Sequence, residues 1–139
     1  MRFLDRLQPL ALLVLRAALG AVFIAHGGQK LFGGMKNFES IVSGIGVPWW
    51  MAYVVALVEF GGGILVLVGL LTRLAALGIL ADMCVAIAKV HWKNGLVAPQ
   101  GKGYEFPLAC AAIAFALIFF GAGPISLDWV TGRGGGPNQ

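Results

Sequence analysis

The chain has 139 residues, of which 59% are hydrophobic and only 12% are charged. A soluble domain carries about 25% charged residues, so this composition leaves too little polar surface for an aqueous fold and indicates an integral membrane protein. The net charge of +4 comes from Lys and Arg residues that lie mostly at the ends of apolar runs, as membrane proteins require. Without a basic stretch interleaved with aromatic residues, the sequence predicts no nucleic-acid partner.

The first apolar run covers residues 9–32 and is long enough to span a bilayer. The basic residues before it would also suit a signal peptide, but Arg16 in the middle of the run argues against cleavage. We therefore expect a retained transmembrane helix at 9–32. A glycine pair follows this run and is a common helix stop, so residues 33–48 are predicted to form a polar loop.

Three further spans follow in chain order. The second, 49–71, starts with aromatic residues typical of a membrane interface, and Thr72-Arg73 predicts a tight turn into the third span, 74–91. A loop leads to the fourth span at 105–121, and the Gly-rich tail 129–139 is expected to be mobile. The predicted fold is all-α, a polytopic membrane protein with a single bundle of four transmembrane helices and no β-sheet.

Ionisable side chains within the spans are costly in hydrocarbon, so we expect them to face the bundle interior. His26, Gln29 and Lys30 share one helix face, and Glu59 and Asp82 lie at comparable depth in the next two spans. His26, Glu59 and Asp82 are expected to meet in a polar pocket that opens toward the first and third loops. The rim of this pocket is expected to consist of Lys30, Lys89, His91, Tyr104 and Glu105. The candidates for binding a ligand or quinone there are Arg16, His26, Gln29, Lys30, Glu59, Asp82, Lys89, His91, Tyr104 and Glu105. No catalytic residue is assigned, and no metal site is predicted.

Several of these residues have a purely structural alternative. Arg16 either extends to the far membrane surface or pairs with Glu59 or Asp82. The polar face of the first span either binds an anion or a quinone carbonyl, or only caps the bundle.

Two redox interpretations are disfavoured by the sequence. His26 and His91 as paired haem ligands would differ in depth by about 9 Å. Cys84 and Cys110 lie in apolar runs without a CxxC motif, and buried cysteines of this kind are usually inert.

Three groups of residues, in this order, resemble the DoxX family of small membrane proteins over about residues 10–128. They are Leu15-Arg-Ala-Ala-Leu-Gly20 with His26-Gly-x-Gln-Lys30, Val58-Glu-Phe-Gly-Gly62 with Gly69-Leu-Leu-Thr-Arg73, and Val90-His91 with Asn94-Gly95 and Gly103-Tyr-Glu105. The resemblance implies a four-helix bundle in a prokaryotic inner membrane with both termini in the cytoplasm. The lysines and arginines near the two faces are almost equal in number and do not decide the orientation.

Some members of the family are subunits of a thiosulfate:quinone oxidoreductase, and others accompany a membrane complex that handles thiol oxidative stress. The resemblance thus implies a small subunit linked to redox chemistry, with the lipid bilayer and redox proteins as partners. A quinone would be its non-covalent cofactor, and the sequence leaves room for a homo-oligomer. Two alternatives stay open: a membrane carrier or small-ligand-binding protein, and a non-catalytic scaffold for soluble enzymes.

Overall fold

The computed structural model describes residues 1–134, and the last part of the predicted mobile tail, residues 135–139, lies outside the described residues. Every regular element within 1–134 is helical, which confirms the all-α prediction. The α-helices are α1 (Arg2–Asp5), α2 (Gln8–Gln29), α3 (Met35–Gly44), α4 (Met51–Val68), α5 (Thr72–Ala86), α6 (Glu105–Phe120) and α7 (Leu127–Val130).

Three helical stretches are long and apolar enough to cross a bilayer, and they cover Gln8–Gly44, Met51–Val68 and Thr72–Asn94. The fourth, α6, has 16 residues and is equally apolar but shorter. At 1.5 Å per residue α6 is about 24 Å long, which is less than the roughly 30 Å of a typical hydrocarbon core. A bilayer accommodates such a helix by thinning locally. The protein is therefore a membrane-embedded helical bundle.

Helices that follow one another in sequence are neighbours in the bundle. α2 packs most extensively along α4, α6 packs along α5, and α4 contacts α5, whereas α2 and α6 touch over a much smaller area. The shared core lies between them and is formed mainly by aliphatic side chains and Phe23. The bundle thus has one loosely closed seam, between its first and last spans.

Glycines allow the close approach of α2 and α4. A Cβ at Gly27 would overlap the backbone of Phe60, and a Cβ at Gly63 would lie 2.7 Å from the backbone nitrogen of Ile24. Gly62, one residue earlier on α4, faces α5 at ordinary van der Waals distance. The backbone contact between α2 and α4 is therefore specified by small residues, as is common between transmembrane helices.

The predicted polar loop over 33–48 is wrong for most of its length. A π-helical turn at Lys30–Gly34 changes the chain direction, and α3 follows at Met35–Gly44. The physical reason is amphipathicity, because Phe38 and Val42 are spaced four apart and give α3 an apolar face. α3 lies against α4 with Val42 buried, and covers this end of the bundle.

The turn between the second and third spans was predicted at Thr72-Arg73, but both residues belong to the first turn of α5. The connection is Gly69–Leu71. Gly69 ends α4 in the left-handed conformation, at φ 71°, which glycine adopts without strain.

The third span continues beyond α5 through a π-helical turn, Ile87–His91, and a 3₁₀ turn, Trp92–Asn94. The predicted mobile tail is folded up to Gly134, the last described residue. After α7, the N–H groups of Arg133 and Gly134 both donate to the carbonyl oxygen of Asp128.

The glycine contact between α2 and α4 gives a direct test of the packing. We expect Gly63→Ala to destabilise the protein by about 1–3 kcal/mol, because the new methyl group must push α2 away. The matched control is Gly61→Ala, since a Cβ at Gly61 meets nothing within 4 Å. Thermal unfolding in detergent measures both, and equal melting temperatures for the two variants would contradict this packing.

Candidate functional site

Three ionisable side chains from three different elements meet inside the bundle, and we call Lys30, Glu59 and Asp82 the polar site. Lys30 begins the π-helical turn after α2, Glu59 lies in the middle of α4, and Asp82 lies on α5. The Nζ atom of Lys30 donates to Oε2 of Glu59 at 2.5 Å. The Asp82 carboxyl lies close enough to interact with both, within hydrogen-bonding reach of Glu59.

Exposure falls from the outer to the inner part of the polar site. The side chain of Lys30 is 23% exposed, whereas that of Glu59 is 6% exposed. The Lys30 ammonium also lies 4.1 Å from the centre of the Phe38 ring, a cation–π contact supplied by α3. Asp82 is also partly exposed, so Lys30 and Asp82 form the accessible part of the polar site and Glu59 its buried part.

The chemistry of the polar site follows from its low-dielectric surroundings. Charges separated by a few ångströms interact far more strongly inside a protein than in water. Lys30 has N–H groups that can donate to a carbonyl oxygen or an anion, and the two carboxyls can accept or release a proton. The polar site thus combines a hydrogen-bond donor with groups capable of proton transfer.

Arg16 belongs to a different cluster, near the opposite end of the bundle. Its guanidinium is buried, and Nη1 donates to the carbonyl oxygens of Ala122 at 2.6 Å and Ile125 at 2.9 Å. Its Nη2 donates to Leu67 O at 3.4 Å. Arg16 follows neither predicted alternative: its side chain is buried and does not extend to the membrane surface, and it binds backbone carbonyls instead of pairing with Glu59 or Asp82. Unpaired carbonyls at helix C-termini attract such a cation.

Asp128 completes this second cluster, and the sequence analysis did not single it out. Its carboxylate is buried and accepts from the backbone N–H groups of Leu71 at 2.8 Å and Thr72 at 2.9 Å. Asp128 therefore caps the N-terminus of α5 from a distant part of the chain, and it also attracts Arg16 electrostatically. A sequence signal was present, because Ser126 before a short segment containing Asp128 is a typical helix start.

His26 and Gln29 do not join the polar site. Both side chains are exposed, and the His26 ring packs edge-on against Phe106 of α6, with the ring centres 5.7 Å apart. The prediction that His26 points into the bundle interior is therefore wrong. His26 lies where α2 meets α6, two helices that touch over a small area, and its side chain stays exposed there.

The remaining candidates lie on or beside the third loop. The side chains of Lys89 and Glu105 are exposed. The Nδ1 atom of His91 lies 2.9 Å from the carbonyl oxygen of Lys102, and the Tyr104 ring stacks on Trp92 with 5.5 Å between centres. The contacts of His91 and Tyr104 hold the loop together, and the structure does not bring these residues to Lys30 and Glu59.

Two clefts lie away from the polar site. One of about 190 Å³ lies beside the start of α5 and includes Asp128, and one of about 400 Å³ lies on the third loop between Asn94 and Lys102. Cys84 is exposed, Cys110 is buried, and both are free thiols. Among residues 1–134, no three His, Cys, Asp or Glu side chains are grouped so that they could hold a metal ion.

Comparison with known proteins agrees with this architecture. The model of the DoxX family matches residues 11–92 of the chain. The chain belongs to the DoxX family. Both carboxyls and the lysine of the polar site lie within the part that matches DoxX.

Individual relatives extend the similarity over most of the chain. The chain is 34% identical to the Bacillus subtilis protein named "Putative oxidoreductase CatD" over 116 residues, which cover 84% of this chain and 83% of the relative. It is 31% identical to an uncharacterized protein of Haemophilus influenzae over 92% of this chain and 96% of the relative. It is also 36% identical to the inner membrane protein YqjF of Escherichia coli, over 53% of this chain and 56% of that protein. No solved structure matches this DoxX protein.

The cap on α5 gives a prediction for the second cluster. We expect Asp128→Ala to lower stability by about 1–3 kcal/mol, because two buried N–H groups lose their acceptor. Asp5→Ala is the control, since Asp5 lies on the exposed α1. Thermal unfolding in detergent compares the two variants, and an unchanged melting temperature for Asp128→Ala would show that the cap contributes nothing.

Proposed function

We propose that this DoxX protein is a subunit of a redox system in a prokaryotic inner membrane, and that its polar site receives the headgroup of a quinone. The observation that carries the proposal is the partly exposed ammonium of Lys30, held at the edge of the bundle by the buried carboxylate of Glu59. A relative whose printed name contains "oxidoreductase" supports the redox assignment. The membrane assignment of YqjF supports the inner membrane as the location.

The proposed contact is a hydrogen bond from Lys30 to a quinone carbonyl oxygen. An ammonium is a strong donor, and a hydrogen bond that involves a charged group contributes about 1.5–3 kcal/mol. The apolar isoprenoid tail of the quinone would lie along the lipid-facing surface of the spans. Electrons would come from a partner oxidoreductase protein at the membrane, so this chain supplies quinone binding and the partner supplies the reductant.

Quinone binding to Lys30 is testable with purified protein in lipid nanodiscs. We expect a short-chain ubiquinone or menaquinone analogue to bind, and Lys30→Gln to weaken binding at least tenfold, which corresponds to about 1.4 kcal/mol. Lys36→Gln is the matched control, because Lys36 lies close in sequence on α3 and is exposed. Titration by tryptophan fluorescence measures the affinities, and equal binding by both variants would contradict a role for Lys30.

Mass spectrometry of material purified with native lipid separates this proposal from its alternatives. A co-purified quinone supports it. A bound solute other than quinone would instead indicate a carrier or ligand-binding protein. An empty protein that holds a soluble enzyme tightly would indicate a scaffold.

We further propose that both termini lie in the cytoplasm, so that the polar site opens toward the outer face. In a background without Cys84 and Cys110, we expect Ser40→Cys to react with a membrane-impermeant thiol reagent added to intact cells. Thr131→Cys should stay unlabelled, although both positions are exposed in the structure. The reverse labelling pattern would place the termini outside.

A further inference from the structure

The polar site contains two carboxyls but one ammonium. Lys30 bonds to Oε2 of Glu59, whereas the buried Oδ2 atom of Asp82 has no hydrogen-bond partner. A buried acceptor without a partner costs about 1–3 kcal/mol, and more if it carries charge. The Asp82 carboxyl in its ionised form is therefore poorly accommodated at this position.

No other nearby cation compensates for the second carboxyl among the described contacts of the polar site. Arg16 is bound to backbone carbonyls near the other end of the bundle. From α3 the polar site receives the Phe38 ring, and the acidic Glu39 of that helix is bonded to the Tyr53 hydroxyl. With both carboxyls ionised, the polar site would hold a net charge of −1 inside the membrane span.

A proton between the two carboxyls removes both problems. Two carboxylates within hydrogen-bonding reach cannot both ionise without strong repulsion, so such a pair retains one proton. A protonated Asp82 would donate an O–H bond to Glu59, and Glu59 would keep its ion pair with Lys30. The polar site then has one positive charge, one negative charge and no unpaired acceptor.

We propose that Glu59 and Asp82 hold one proton between them, and that this proton is the one the polar site can deliver. The delivery of this proton rests on the proposed function. Once a quinone has received electrons from the partner oxidoreductase, the O–H bond of the carboxyl pair breaks and an O–H bond forms on the quinone oxygen. The carboxyl pair is left doubly ionised, and it regains a proton from water by way of the exposed edge of Lys30.

Infrared spectroscopy of the purified protein at neutral pH, without any quinone, tests the shared proton separately from quinone binding. We expect a C=O stretching band of a protonated carboxylic acid, which shifts when the protein is exchanged into D₂O. Glu59→Gln and Asp82→Asn should each abolish the band, because the remaining carboxylate pairs with Lys30. Glu39→Gln should leave it unchanged.

The proposal of a shared proton would be contradicted if the native protein lacked the band or if the band persisted in both variants. The quinone titration is a separate measurement. If the infrared result contradicts the shared proton, the titration still decides whether a quinone binds. Selective ¹³C labelling of Asp or Glu carboxyls shifts the band in the unsubstituted protein. The test therefore does not depend on the variants folding.

Stability provides an independent readout of the same arrangement. We expect Glu59→Gln and Asp82→Asn each to change the melting temperature only slightly, since one carboxylate remains for Lys30. The double variant leaves Lys30 unpaired and should lose far more stability than the sum of the two single effects. Adding Lys30→Gln to the double variant should restore most of that loss, and strictly additive effects would contradict the proposal.

Discussion

The ion pair between Lys30 and Glu59 is the constraint on which the loop end of this bundle depends. A charged side chain at the centre of a membrane helix costs about 2.5–3.5 kcal/mol on insertion scales, which applies to Glu59 in the middle of α4. Lys30, at the edge of the bundle, supplies the charge that offsets this cost. Pairing across α2 and α4 requires the two helices to lie close together, and the glycines on both helices permit this approach. A buried charge left with no partner typically costs about 3–5 kcal/mol, so Lys30 requires at least one of the two carboxylates beside it.

The two ends of the bundle use charge differently. At the end that carries the termini, Arg16 and Asp128 bind only backbone groups, and all of those groups lie at helix ends or turns. Such contacts close a helical bundle. At the other end, the polar site retains an unpartnered carboxyl oxygen and a partly exposed lysine. Buried polar atoms without a partner also occur at the end that carries the termini, where they are Arg16 Nε and Thr72 Oγ1. What distinguishes the polar site is the partly exposed ammonium of Lys30 beside two carboxyls.

Periodicity and hydrophobicity were sufficient to predict the membrane helices and to place Glu59 and Asp82 at the same depth, because the cost of charge in hydrocarbon leaves few other arrangements. They did not predict that Lys30, expected only at the rim of the pocket, is the partner of Glu59. The sequence could not predict that Arg16 belongs elsewhere, since its partners are backbone carbonyls of residues 122 and 125 that no side-chain pattern reveals. Asp128 was missed for the same reason, because it caps a helix that begins 56 residues earlier. His26 was misplaced because equal spacing on one helix face does not show which part of that face a neighbouring helix covers.

A solid-state NMR distance measurement in lipid bilayers tests the central claim most directly. With ¹⁵N at the Nζ of Lys30 and ¹³C at the Cδ of Glu59, we expect rotational-echo dephasing that corresponds to a separation of about 3–4 Å, as an ion pair requires. Lys36 provides an internal reference in the same sample, because its exposed side chain should show no such coupling to Glu59. A Lys30–Glu59 pair with no measurable dephasing would contradict the account.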